Sequence, residues 1–137
     1  MFLLDTNVIS HLRRLDKADP QVVRWAETKP VTHFFLSVIT MLELEMGAQA
    51  IAQKDQQQGL ILRHWIDEQL LPRFEGRILS VDLAIARRCA ALHVPNPKAD
   101  RDALIGATAL VHGLDLVTRN QADFMIEGVR LINPWQA

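Results

Sequence analysis

Apolar positions fall in short runs separated by longer amphipathic stretches, and this alternation persists along the whole chain. Phe2-Leu3-Leu4, closed by Asp5-Thr6-Asn7, reads as a fully buried strand and its exit turn. Val8 to Arg14 makes a helical turn or two. Asp19-Pro20 sets an N-cap before a proline at the first helical position, opening a helix with Val22, Val23 and Trp25-Ala26. Thr32 to Ser37 is a second strand, and Thr40 opens a helix through about Gln53. From Gln57 to Leu71, Leu60, Leu62, Trp65, Ile66 and Leu70 form one broad apolar side, and Pro72 stops the helix. Arg77 to Val81 predicts a third strand, and Asp82 caps a helix to His93. Val94-Pro95-Asn96-Pro97 is a loop. A helix from about Asp100 to His112 ends with Gly113 at the position after its cap. Leu114 to Thr118 and Val129 to Asn133 complete the strands.

Strands alternating with helices predict an α/β protein: a three-layer α/β/α domain with a mostly parallel sheet of about five strands. A length of 137 residues suits a single domain over 1–137 with its own core. A composition of 49% hydrophobic and 23% charged residues excludes the disordered and fibrous classes. The net charge of −1 excludes a histone-like basic coat and leaves room only for a local basic groove. The single cysteine, Cys89, makes an internal disulfide impossible and is expected to be a buried, inert thiol. The opening residues reach Asp5 without a basic stretch, so no signal peptide is expected. The longest nearly apolar run, Ala103 to Val111, is too short to cross a bilayer. The expectation is a cytoplasmic protein with no membrane segment.

In an open parallel sheet, ligands bind beyond the carboxyl ends of the strands. Asp5 stands after the first strand, and Thr118-Arg119-Asn120, then Asp123, follow the fourth. Glu43 lies on the helix after the second strand, and Asp102 in the first turn of the Asp100–His112 helix. Four carboxylates from four segments can converge there, and such a cluster repels itself unless divalent cations occupy it. Mg²⁺ or Mn²⁺ suits an all-oxygen pocket. Each acid also has a plainer role. Asp5 can be a helix N-cap, and Asp100 or Asp102 can simply complement the helix dipole. Glu43 lies nearly opposite Glu45 and Gln49, beside Gly47 and Ala50, an inward face with space. Asp102 is preferred to Asp100 because Gly106 and Ala109 share its face and leave room for a ligand. Asp123 sits in a polar loop. The histidines (11, 33, 64, 93, 112) lack metal-binding spacing, and Trp25 and Trp65 read as core or interface anchors. Arg13-Arg14-Lys17, Arg87-Arg88, Lys98 with Arg101, and Arg119 are candidate phosphate contacts.

Taken in order, these segments resemble a known pattern. Phe2-Leu3-Leu4-Asp5-Thr6-Asn7-Val8-Ile9-Ser10 resembles the opening of PIN-domain nucleases, specifically the VapC-type toxins of bacterial toxin–antitoxin pairs. Ser37 to Thr40 with Glu43 and Gly47 resembles the second motif, and Asp102 to Ala109 the third. Leu116 to Asn120 with Asp123-Phe124 resembles the fourth, and Asn133-Pro134-Trp135 is similar to the ending of one VapC subgroup. His11 stands where many relatives carry an acid, and Gly106 where they carry Ala. The resemblance implies a metal-dependent RNA endonuclease that cuts single-stranded or loop RNA, often tRNA or rRNA. Its acids carry over onto Asp5, Glu43, Asp102 and Asp123 as catalytic Mg²⁺ or Mn²⁺ ligands. Thr118 matches the supporting hydroxyl and Asn7 the polar companion of the first Asp. The implied partners are an RNA substrate, a VapB-type antitoxin and a second copy of the chain. Trp65, Ile66, Leu70, Leu71 and Phe74 are expected to contribute to the homodimer face. Two rivals fit worse: a receiver domain wants paired acids after its first strand, and an aspartyl phosphatase wants Asp where Asn7 stands. A degenerate PIN domain serving as an RNA-binding scaffold is the nearer alternative.

Overall fold

The computed structural model describes residues 1–137. Five strands form one sheet: β1 (Phe2–Leu4), β2 (Phe34–Ser37), β3 (Ile78–Leu79), β4 (Asp115–Val117) and β5 (Leu131–Ile132), in the order β3-β2-β1-β4-β5. Every neighbouring pair is parallel, with Phe2 opposite both Phe34 and Asp115, and Leu4 opposite Val117. The helices are α1 (Thr6–Leu12), α2 (Pro20–Glu27), α3 (Val38–Lys54), α4 (Gln56–His64), the single turn α5 (Leu71–Arg73), α6 (Leu83–Leu92) and α7 (Asp100–His112). The expected α/β/α architecture with a parallel sheet of five strands is borne out.

Strand alternation divides the core. Leu4, on β1, faces a cluster with Val8, Leu36, Met41, Ile66, Leu70 and Phe74, drawn from α1, β2, α3 and the segment after α4. Leu3, its neighbour, faces the opposite layer of Ile105, Ala109, Leu116 and Phe124, where α7 packs. Both leucines are essentially inaccessible, so truncating either to Ala would cost about 2–5 kcal/mol. Cys89 is buried against Ile85, Ala103 and Ala107 between α6 and α7, as expected for an inert thiol. No helix is long and apolar enough to cross a membrane.

Four local expectations need correcting. Thr32 and His33 belong to a 3-10 turn, Val31–His33, closed by the His33 N–H on the Pro30 carbonyl, so β2 starts two residues late. The predicted third and fifth strands shrink to two residues each, because only those pair at the sheet edges. Pro72 does not stop its helix at once. A π-helical turn, Trp65–Leu70, precedes it and α5 carries it, the first turn of a helix being where a missing N–H costs least. Finally, Ile66, Leu70 and Phe74 are core residues, each no more than 2% exposed, and offer no surface to a second copy.

Candidate active site

The carboxyl ends of β1 and β4 lie side by side, which places Asp5 next to Thr118. Asp5 is the N-cap of α1: its Oδ1 accepts the Thr6 N–H at 2.8 Å. The plainer reading of this residue, a helix N-cap, therefore holds. Its Oδ2 accepts the Thr118 hydroxyl at 2.8 Å and Asn7 Nδ2 at 3.2 Å. Thr118 is fully buried, and its Oγ1 also accepts the Asn120 N–H at 3.0 Å, so the hydroxyl proton is committed to Asp5. Asp5 itself is only 6% exposed. Burial pushes its carboxyl pKa up, the Thr118 and Thr6 bonds pull it down, and the charges of Asp102 and Glu43 push it up again.

The other three acids gather around that point. Ser37 caps α3 through the Ile39 N–H, which fixes the helix so that Glu43 reaches back to α1. There Glu43 Oε1 accepts the Thr6 hydroxyl at 2.7 Å, and Oε2 lies 3.8 Å from Arg101 Nη1. Asp102, in the first turn of α7, has its pKa raised by burial first, then by Asp123 and Glu43, with Arg101 opposing. Asp123 is exposed in the 3-10 turn Gln121–Phe124, held by Phe124, which is 1% exposed in the core beneath α7. Asp102 thus links the four acids singled out in the sequence: it feels the charges of Glu43 and Asp123, and Asp5 feels those of Asp102 and Glu43.

No three of these carboxylates stand in a ready-made coordination shell. Glu43 is engaged with Thr6 and Arg101. The donor set is nonetheless all oxygen, and the carboxyls of Asp5 and Asp102 both have pKa values raised by burial first and then by neighbouring acids. An all-oxygen set of clustered acids is the chemistry that hard divalent cations take, so the residues fit Mg²⁺ or Mn²⁺.

Two residues in this network escape sequence reasoning. Thr6 holds Glu43, and the fully buried Thr40 lies with its hydroxyl 3.1 Å from that of Thr6. The signal for Thr40 was a hydroxyl within an otherwise apolar helix start. One expectation fails: Gly106 leaves no room for a ligand. A Cβ there would lie 2.4 Å from Ile126 Cδ1, so the space belongs to Ile126, three residues after Asp123. Gly47, by contrast, opens onto free space. Of the basic candidates, Arg14 pairs with Asp16 and Arg101 with Glu43, while Arg119 stacks on Trp135. None of the histidines joins a metal-binding cluster.

The PIN domain family model matches residues 2–124. The chain belongs to the PIN-domain family. Among PIN-domain relatives, it is 33% identical to "VapC ribonuclease Y4jK" of Sinorhizobium fredii, over 99% of both chains. Its fold is similar to the crystal structure of FitAcB from Neisseria gonorrhoeae, with a TM-score of 0.88, 33% identity and complete coverage of both chains. It is also similar to a chain of a toxin–antitoxin complex from Klebsiella pneumoniae, with a TM-score of 0.70, 30% identity and 98% coverage of each. The resemblance carried by the four motif segments is borne out.

Proposed function

We propose that this PIN domain is a divalent-metal-dependent endoribonuclease acting as the toxin of a toxin–antitoxin module. It cuts single-stranded or loop RNA, tRNA or rRNA, in the cytoplasm and so arrests translation. The observation that carries the reading is Asp5: a carboxylate 6% exposed, bonded by three donors and facing the charges of Asp102 and Glu43. The name of the Sinorhizobium relative supports a ribonuclease, and the Klebsiella complex supports a toxin with an antitoxin partner, which the motif resemblance makes one of the VapB type.

Asp5, Glu43, Asp102 and Asp123 would hold one or two Mg²⁺ or Mn²⁺ ions, with Asp5 central. A bound ion in such a site activates water and neutralises charge developing on the transferred phosphate. The chain's own residues prepare for this. The hydrogen bonds from Thr118 and Thr6 favour the charged form of Asp5, against the burial that raises its pKa. Thr6 aims Glu43 into the mouth, and the Asn7 amide fixes the rotation of the Asp5 carboxyl. A homodimer is supported by exposed apolar residues on α3 and α4: Val38, Leu42, Met46, Leu60 and Ile61.

The test is direct. Purified protein incubated with total RNA should release discrete fragments in Mn²⁺ or Mg²⁺ and none in excess chelator. Undamaged RNA at micromolar protein with millimolar metal would remove the nuclease reading. RNA bound but uncut would favour the scaffold alternative.

A further inference from the structure

The chain segment Asn133-Pro134-Trp135 lies beside the carboxylate mouth, and the chemistry above makes no use of it. Asn133 directly follows β5, Arg119 stands two residues past β4, and the two strands are neighbours. Asn133 joins both halves of a small assembly. Its Nδ2 donates to the Arg119 carbonyl at 3.5 Å, and its Oδ1 accepts the Trp135 N–H at 2.9 Å. The Arg119 guanidinium then stacks on Trp135, 4.9 Å from a ring centroid. Trp135 is held in turn by His11, 5.0 Å away, whose Nε2 accepts the Asp19 N–H at 2.8 Å. On its other side the Arg119 N–H reaches Asn7 Oδ1 at 3.4 Å, and Asn7 is the residue that bonds Asp5.

Arg119 differs from the other cation at the mouth. Arg101 already has an anion, Glu43. Arg119 takes part in none of the ion pairs, is exposed, and is yet oriented by a ring. An exposed guanidinium held rigid on an aromatic face, with no internal counter-charge, is prepared for an external anion of fixed geometry. Planar arginine donors match phosphate oxygens, and a stacked arginine loses less freedom on binding than a free one. RNA lying across four carboxylates needs positive charge nearby, and a chain of net charge −1 must supply it locally.

We propose that the Arg119–Trp135 stack binds an RNA backbone phosphate next to the one being cut, and so sets the strand's path over Asp5. Arg119 is the contact, and Trp135, Asn133 and His11 are positioning residues. The inference rests on the nuclease reading for the identity of its ligand.

The experiment measures binding of a fluorescently labelled 2′-O-methyl RNA oligonucleotide, in chelator, across a salt series. Arg119→Gln should weaken binding about tenfold and flatten the slope of log affinity against log salt by about 0.7, the share of one single-strand phosphate contact. Arg130→Gln removes the same charge from a residue paired with Asp115 at the other end of the strands, and should change neither. Trp135→Phe keeps a ring and should stay within about twofold of wild type, whereas Trp135→Leu should approach Arg119→Gln. Arg119→Lys should keep the slope but lose several-fold in affinity, because a lysine cannot stack as a plane. Should Trp135→Leu fail to fold, Arg119→Lys decides on its own. Wild-type affinity and slope in Arg119→Gln, or wild-type affinity in Arg119→Lys, overturns the proposal. A wild-type protein that binds the oligonucleotide through Arg119 yet cuts no RNA in Mn²⁺ would remove the nuclease and keep the stack.

Discussion

Asp5 and Asp102 stand on opposite sides of one mouth and are held there by different means. Asp5 is fixed by hydrogen bonds from Thr6, Asn7 and Thr118 and is nearly buried. Asp102 accepts no side-chain or capping bond, and Asp123 beyond it is exposed in a short turn. Their positions come instead from packing: Gly106 of α7 against Ile126, and Phe124 in the core beneath. One side of the site, the rigid side, is held by directed hydrogen bonds, and the other, the open side, by packing alone. Glu43 is intermediate, tied to the rigid side through Thr6 and to the open side through Arg101.

The largest effect expected is from Asp5→Asn. Asn caps a helix about as well as Asp, so α1 should survive, with circular dichroism and melting cooperativity retained. The charge that anchors a hard cation is lost, and RNA cleavage in Mn²⁺ should fall at least about a hundredfold. Asp123→Asn, on the open side, should cost less. Equal losses from the two would erase the distinction between them.

Thr118→Val attacks the rigid side without touching a carboxylate. It removes a hydrogen bond to a buried charged group, worth about 1.5–3 kcal/mol, which denaturant melts would show. It also removes a cause that lowers the pKa of Asp5. The acid limb of the cleavage–pH profile should then shift to higher pH, since Asp5 must be charged to hold a cation. An unmoved limb would mean that Thr118 is merely structural.

Gly106→Ala attacks the open side. The new methyl meets Ile126 Cδ1, and the adjustment should cost about 1–3 kcal/mol. Asp123 lies three residues before Ile126, so cleavage should fall beyond what reduced stability explains, measured well below the melting temperature. Activity retained in full would show that packing does not position Asp123.

The smallest effect concerns pH and metal-free stability. Asp5 and Asp102 have folded pKa values above the ordinary 3.8, so in chelator their charges oppose folding at neutral pH. As pH falls through the raised folded values toward the unfolded one, the folded state takes up the extra protons and the penalty disappears. Asp102→Asn should therefore be more stable than wild type at pH 7, with the gap closing as pH approaches 4. A gap that widens on acidification would reverse the assigned sign.

The strand ends were legible because buried parallel strands read as apolar runs, and the first polar residue after such a run marks the crevice. Asp5 and Thr118 stand out on that ground alone, and Glu43 and Asp102 by their helical faces. Less was legible where tertiary packing outweighs local pattern. Gly106 signalled space, but the space is filled from Ile126, twenty residues away in the chain. The Trp65–Phe74 stretch signalled an interface because apolar residues crowd it, yet a π-helical turn directs Ile66 and Leu70 into the core. Thr6 and Thr40 carry no periodic signal at all, and their role exists only once α1 and α3 are brought together.

A divalent cation is expected to bind this cluster with Asp5 as its anchor. Calorimetric titration of Mn²⁺ into the metal-free protein at pH 7, for wild type and Asp5→Asn side by side, tests it without RNA or turnover. Wild type should bind at one or two sites in the millimolar range or tighter and melt at higher temperature when loaded, as mass action requires. Asp5→Asn should lose affinity at least about tenfold. Equal binding by the two proteins, or no heat and no melting shift for wild type at millimolar Mn²⁺, would contradict cation binding anchored on Asp5.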